Sequence, residues 1–277
     1  MCTERKSREL RAVKILDRST EPRELEFIRR EAKAMLSVRH PSIIRTFDVF
    51  DQRTKVSIVM EYLGGGDLFQ VIARNESFSE ADATHVMRNI LMGVEYLHKK
   101  GIVHRDIKPE NILCAERKFP LSVKICDFGF VNFADGDASK TMKTVIGTPF
   151  YMAPEIILKK GHGPPVDIFA CGVVCYAMLS GRLPFDATDS LEVYRKILTG
   201  SVMFHEEWNL ISKNAKNFVK LLLHPIPESR PTASAALRHV WFDSVHYKET
   251  CLVSNCQSLS QLKSRRIENQ DSKRSGD

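Results

Sequence analysis

Residues 10–16 (LRAVKIL) alternate apolar and polar side chains in the manner of a half-buried strand, rich in β-branched residues. A different period follows over 22–38. Leu25, Ile28, Ala32, Met35 and Leu36 recur at helical spacing with charges on the other side, which predicts an amphipathic helix. Two more strands are predicted over 43–50 and 55–62, separated by the turn-like Asp51-Gln52-Arg53. Gly64-Gly65-Gly66 then breaks the pattern. Residues 82–99 form a long amphipathic run closed by Lys99-Lys100-Gly101, basic residues and a glycine suited to a helix C-terminus. Short apolar strands at 112–113 and 123–125 lie among loops, and helical patterns resume at 166 and run to 240. Within them, residues 168–179 are almost wholly apolar but too few to span a bilayer, which predicts a buried helix.

These elements describe an α+β chain. A small β-rich lobe with one helix occupies 1–63, a glycine hinge sits at 64–66, and a larger, mainly helical lobe occupies 64–242. From 243 the apolar periodicity fades, and Ser, Gln, Asn and Lys dominate after 254. Residues 243–277 are therefore expected to be a polar tail, mobile beyond about 267.

With 277 residues, 43% hydrophobic and 27% charged, the chain can bury one large core or two modest lobes around a cleft. The net charge of +7 comes without any block of five consecutive basic residues. It reads as a slightly basic surface and gives no specific ground for nucleic-acid binding. Seven cysteines, an odd number without a CxxC pair, point to small core residues in a reducing compartment. The charged opening residues lack the apolar core of a signal peptide, so the expected location is cytoplasmic, with nuclear access left open.

The chemistry lies in two short runs. His104-Arg105-Asp106-Ile107-Lys108-Pro109-Glu110-Asn111 precedes Asp127-Phe128-Gly129, so two carboxylates, a lysine and an amide could converge on the phosphates of a metal-bound nucleotide. Singly, an Asp or Asn is usually a turn residue; in this order and spacing the set is far more specific. Here the chain resembles the eukaryotic protein kinases, and the resemblance extends from about Ala12 to Trp241. It implies a two-lobed kinase fold and transfer of the γ-phosphoryl group of ATP, with Mg2+, to protein substrates.

The resemblance implies a role for each matching residue. Asp106 would orient the attacking hydroxyl, and Lys108 would offset charge on the transferring phosphate. Asn111 and Asp127 would hold magnesium as hard oxygen ligands. Lys14 would contact the α- and β-phosphates and pair with Glu31, with Glu26 as an alternative partner. Ala12 and Leu113 would sandwich the adenine, Met60 would narrow the pocket behind it, and backbone groups of Glu61 and Leu63 would bind its edge. Glu155 would pair with Arg230, and Asp167 would brace the catalytic loop. Phe169 stands where the family usually has Trp.

Lys108 and the run Gly147-Thr148-Pro149-Phe150-Tyr151 resemble Ser/Thr rather than Tyr kinases, with Thr148 expected to bond Asp106 and Lys108. Asp67 and Glu110 match positions that meet an upstream arginine of the substrate, implying an R-x-x-S/T preference. Arg105 implies control by a phosphorylated activation segment, with Thr144 as the acceptor and an upstream activating kinase as a partner. EYLGGGDLF and the run through VDIFACG look most like the calcium/calmodulin-dependent group. Leu259, Leu262, Lys263, Arg265, Arg266 and Ile267 form a weakly basic amphipathic patch, a candidate calmodulin site. Cys126, beside Asp127, would lie in the nucleotide pocket, either as a target of electrophiles or as a packed thiol.

The N-terminus departs from the family pattern. The family begins with two strands joined by a glycine-rich loop over the phosphates. This sequence opens about where the second strand would be, and its first glycine is Gly64. Weaker nucleotide binding and an uncovered sheet edge are expected. The favoured reading is an N-terminally incomplete version of an active kinase. A short form acting as a binding or regulatory module, and a chain that works slowly as it stands, both stay open.

Overall fold

The computed structural model describes residues 1–5, 7–17, 32, 35–75, 77–128, 132–133, 149–187 and 189–244. Cys2–Thr3 (β1), Leu10–Asp17 (β2), Thr46–Asp51 (β3) and Lys55–Glu61 (β4) form one antiparallel sheet in the order β1-β2-β4-β3. β2 pairs with β4 from Arg11 to Asp17, which places Ala12 opposite Met60 and Lys14 opposite Ile58. β1 pairs only with Leu10 and Arg11. The edge of β2, expected to be uncovered, is therefore partly closed by the first residues of the chain. The Arg11 guanidinium secures that corner, bonding Glu4 at 2.8 Å and lying 4.0 Å over the Phe47 ring.

β3 starts three residues later than its apolar pattern suggests. Ile43 bridges Ile125 in parallel, and the Ile44 N–H donates to the Ile125 carbonyl at 2.9 Å. Both side chains are buried, so this pair leaves the sheet to tie the small lobe to the large one. Of the helix expected over 22–38, Ala32 and residues 35–37 are helical, Val38 already lies beyond the helix, and the remainder, with Glu26 and Glu31, lies outside the described residues.

After β4 the chain passes the hinge. A Cβ on Gly65 would meet the Glu116 and Cys114 carbonyl oxygens at 2.3 and 2.5 Å, so the residue must be glycine for its N–H to reach Cys114 O at 3.0 Å. Gly66–Asp67 (β5), Ile112–Cys114 (β7) and Val123–Ile125 (β8) form a small sheet, while Ile102–Val103 (β6) pairs with Asn132–Phe133 (β9).

Helices Leu68–Asn75 (α1), Glu80–Lys99 (α2), Pro165–Ser180 (α3), Ser190–Thr199 (α4) and Lys213–Leu222 (α5) build the large lobe. α2 begins two residues before the expected position because the Ser79 hydroxyl accepts the Asp82 N–H. It ends as expected, with Gly101 at φ +69°. Every residue from Val166 to Ser180 is buried, as the apolar run predicts. Glu80 knits the far end together, accepting bonds from the Ser212 N–H and hydroxyl and from Trp241 Nε1. No helix among the described residues is long and apolar enough to cross a membrane.

Two apolar cores result. The large one fills the helical lobe. The smaller joins Met35, Ile44, Ile58 and Met60 to Leu97, Ile102, Cys126 and Phe128 from the other lobe. Of the candidate site residues, Met60 belongs to this smaller core and Ala12, Leu63 and Leu113 pack against it.

Candidate active site

The loop that carries Asp106 leaves β6 and turns through an unfavourable backbone. Arg105 sits at φ +67° and Asp127 at φ +63°, left-handed conformations that cost a non-glycine residue energy and persist only where the surroundings hold them. For Arg105 the holder is visible. Asp167, fully buried in the first turn of α3, accepts the His104 N–H at 2.9 Å and the Arg105 N–H at 2.7 Å, one on each oxygen. His98 Nε2 lies 2.8 Å from the same carboxylate. Burial pushes the Asp167 carboxyl up, but the bond to His98 and the loop amides outweigh it and hold it below its ordinary value. The expected brace is thus present, with His98 as a member that the sequence did not single out.

His104 completes the support. Its Nε2 lies 3.2 Å from the Cys126 carbonyl and its Nδ1 accepts the Asp106 N–H at 3.3 Å. Phe128 packs edge-on to the ring at 5.3 Å between centroids. One imidazole therefore fixes the backbone on both sides of the two motifs.

Asp106, Lys108 and Asn111 form one hydrogen-bonded group. Lys108 Nζ lies 2.6 Å from Asp106 Oδ2, and Asn111 Nδ2 donates to the Asp106 carbonyl at 2.9 Å and to Oδ2 at 2.8 Å. Because the Asn111 amide nitrogen is spent on Asp106, its ligand atom is the oxygen, a hard donor that suits a hard divalent cation. Asp127 lies across the junction, where Lys14 Nζ reaches its Oδ1 at 2.8 Å. The β2 lysine and the second motif are 113 residues apart in sequence and in direct contact in the fold.

Above this group, Ala12, Leu63 and Leu113 pack as half-buried residues against the cluster that holds Met60. The residues expected above, below and behind a planar base, Ala12, Leu113 and Met60, and Leu63 expected at its edge, therefore belong to or pack on one cluster. Glu61 has a side-chain role as well. Its carboxylate takes both 2.8 Å bonds from Lys124 Nζ on β8 and the Arg45 N–H at 2.7 Å, linking the hinge strand to the strand that leads into Asp127. Sequence reasoning missed Lys124, although an isolated charge in a buried strand was a usable signal.

Glu155 and Arg230 form the expected pair, bidentate at 2.7 and 2.8 Å and buried, with the guanidinium 4.9 Å over the Phe169 ring. Phe169 thereby supplies an aromatic face to the ion pair. Asp67 caps α1, its carboxylate accepting the Gln70 N–H at 2.8 Å and the Gln70 side-chain amide at 2.7 Å. Glu110 sits half-buried in the turn Pro109–Asn111. Burial pushes the Cys126 thiol up to about 12, so it is a packed thiol rather than a reactive one. Glu31, Thr144, Thr148 and the patch 259–267 lie outside the described residues.

Comparison with known proteins agrees with this geometry. Residues 1–242 match the protein kinase domain. The chain is 40% identical over 243 residues to serine/threonine-protein kinase H1 of Homo sapiens, covering 87% of this chain and 57% of that one. It is 38% identical over 231 residues to calcium/calmodulin-dependent protein kinase type I of Schizosaccharomyces pombe, covering 82% and 69%. To CBL-interacting serine/threonine-protein kinase 8 of Arabidopsis thaliana it is 38% identical over 234 residues, covering 83% and 51%. The chain spans less than two thirds of the kinase H1 relatives that it matches. It belongs to the protein kinase family, and its relatives lie among the Ser/Thr kinases, calcium/calmodulin-dependent ones included.

Proposed function

We propose that this chain transfers the γ-phosphoryl group of ATP to serine or threonine of protein substrates, with magnesium as the metal. The observation that carries the reading is the arrangement of Asp106, Lys108 and Asn111 as one bonded group, and of Lys14 against Asp127, with the two motifs tied together through the His104 ring. Phosphoryl transfer asks little covalent chemistry of a protein and much positioning of charge. Asp106 orients the acceptor hydroxyl and takes its proton. Lys108, beside it, neutralises charge on the transferring group. Lys14 holds the nucleotide phosphates, a role supported by its contact with Asp127, the proposed metal ligand. Asn111 and Asp127 would hold Mg2+, which would supply positive charge to offset that of the phosphates.

Ala12 and Leu113 sandwich the adenine and Met60 narrows the pocket behind it, with backbone groups of Glu61 and Leu63 at its edge. Upstream arginines on the substrate are favoured by Glu110 and, through whatever share of its carboxylate Gln70 leaves, by Asp67. Activation by phosphorylation of Thr144 through Arg105 and calmodulin binding to the tail both belong to this reading. The calcium/calmodulin-dependent relatives support it by kinship.

The test is magnesium-dependent transfer from ATP to a basic serine peptide, compared with the Asp127→Asn variant. Transfer that the variant loses supports the proposal. No transfer by either protein, with nucleotide binding intact, overturns it in favour of a binding module.

A further inference from the structure

Behind the hinge, on the side of α1, lies an open cavity of about 380 Å³ lined by Gly65, Gly66, Gln70, Ala73, Arg74 and Arg117. Its lining contains two arginines and no carboxylate. Each guanidinium is held through Nε by a main-chain carbonyl: Arg74 by Gln70 O and Arg117 by Gly64 O, both at 3.3 Å. A fork anchored in this way is oriented before any ligand arrives. Neither arginine forms an ion pair among the described residues, although Arg11, Arg182, Arg195 and Arg230 all do. Two described carboxylates near them in sequence are bonded to other groups. Asp67 is taken by Gln70, and Glu116 accepts the Ser122 N–H at 3.1 Å. One wall is bare backbone. Gly66 sits at φ +84°, and a Cβ there would crowd the Gln70 side chain at 3.0 Å.

We propose that this cavity is an anion-binding subsite that docks a phosphorylated side chain carried by a peptide. Two guanidiniums match a phosphate dianion in charge and in fork geometry, whereas a single carboxylate would satisfy only one of them. The volume is that of a site for a group larger than a free ion, leaving room for the residue that bears the phosphate and its neighbours. The subsite goes beyond the proposed activity and does not depend on it, because binding can be measured without nucleotide or turnover.

The experiment is fluorescence anisotropy of the full chain with a short labelled peptide bearing one phosphoserine among Gly and Ala. Serine and glutamate versions and inorganic phosphate serve as comparisons. The phosphopeptide is expected to bind at least about tenfold more tightly than the serine peptide, with the difference shrinking as salt rises. Arg74→Gln and Arg117→Gln should each remove most of that difference, and Arg117→Lys should remove part of it. Arg74 is exposed at the end of α1, so its variant carries the test even if replacing Arg117 disturbs the hinge. Equal binding of phosphoserine and serine peptides, or unchanged binding in Arg74→Gln, overturns the subsite. Equal binding of the glutamate peptide overturns the choice of phosphate. Competition by inorganic phosphate at the affinity of the peptide itself overturns the peptide-borne ligand.

Discussion

Arg105 and Asp167 stand 62 residues apart in sequence, and the Arg105 N–H donates to Asp167 Oδ1 at 2.7 Å. That bond holds a left-handed residue immediately before Asp106. The other Asp167 oxygen holds His104 and meets His98. A carboxylate is needed because two amides and an imidazole all approach its oxygens.

Asp167→Asn should therefore be costly. An asparagine offers one acceptor oxygen and turns an N–H toward groups that also carry hydrogen, leaving a buried amide unpaired at a cost of about 1–3 kcal/mol. Released from its brace, Arg105 can relax from φ +67°, and Asp106 moves with it. Urea unfolding should show the stability loss, and steady-state assays should show kcat falling about tenfold or more with KM little changed. Lost stability with unchanged kcat would assign the brace to folding alone.

His104 gives the chain a pH dependence. Its two hydrogen bonds, from Nε2 toward Cys126 O and to Nδ1 from the Asp106 N–H, suit a neutral ring, and burial lowers its pKa. His40, His162 and His239 shift the same way, chiefly by burial. A folded pKa below the unfolded value of about 6.5 means that the unfolded chain takes the proton first as pH falls. The stability is fully present above that value and is lost as pH falls from it toward the folded pKa. Asp167 acts in a lower window. Its depressed folded pKa contributes above the unfolded carboxyl value of about 3.9 and is lost as pH falls through the folded one. Urea midpoints between about pH 7.5 and 5.5 should decline, and His104→Asn should flatten the decline. An unaltered slope in the variant would place the effect on the other histidines.

Cys126 is expected to resist alkylation. Burial in the junction core raises its thiol to about 12, and Asp127 next to it adds to the shift. Thiolate is the reacting form, so at neutral pH almost none is present. Cys2 is exposed. Mass spectrometry of iodoacetamide-treated protein should find Cys2 modified well before Cys126. Equal rates would mean that the junction opens readily.

The local signals were the legible ones. The 3.6-residue period of α2, the apolar run of α3 and the alternation of β2 each follow from side chains close in sequence, and structure and sequence agree on all three. The two motifs are also local, which is why Asp106, Lys108, Asn111 and Asp127 could be named from the family resemblance that those motifs carry. Two pairings across long loops left no such trace. Lys124 on Glu61 and His98 on Asp167 connect residues 63 and 69 positions apart, and nothing in either neighbourhood specifies the other. Ile43 misled for a related reason. Its apolar run fits a strand, but its partner is Ile125 rather than the adjacent β4, and periodicity cannot choose between two buried destinations.

The bonds of Glu155 and Arg230 go to the frame of the large lobe, and their loss should register first as instability. Arg230 is wholly buried at its side chain, Glu155 nearly so. Beyond the two carboxylate bonds, Arg230 donates to the carbonyls of His224, Pro165 and Pro225 at 2.7, 3.0 and 3.2 Å. The guanidinium thus closes the short helix Pro154–Ile157 onto the start of α3 and the loop before Pro227–Ser229. Arg230→Met strands a buried carboxylate and three carbonyls, with an expected cost of about 3–5 kcal/mol. Arg230→Lys keeps the charge but cannot span the fork and the carbonyls together, so it should recover only part of the loss. Glu155→Gln, which keeps an acceptor oxygen for one N–H, should be milder than Arg230→Met. Urea unfolding of the three variants orders them. If Arg230→Lys matches the unmodified chain, a point charge suffices and the fork geometry contributes nothing.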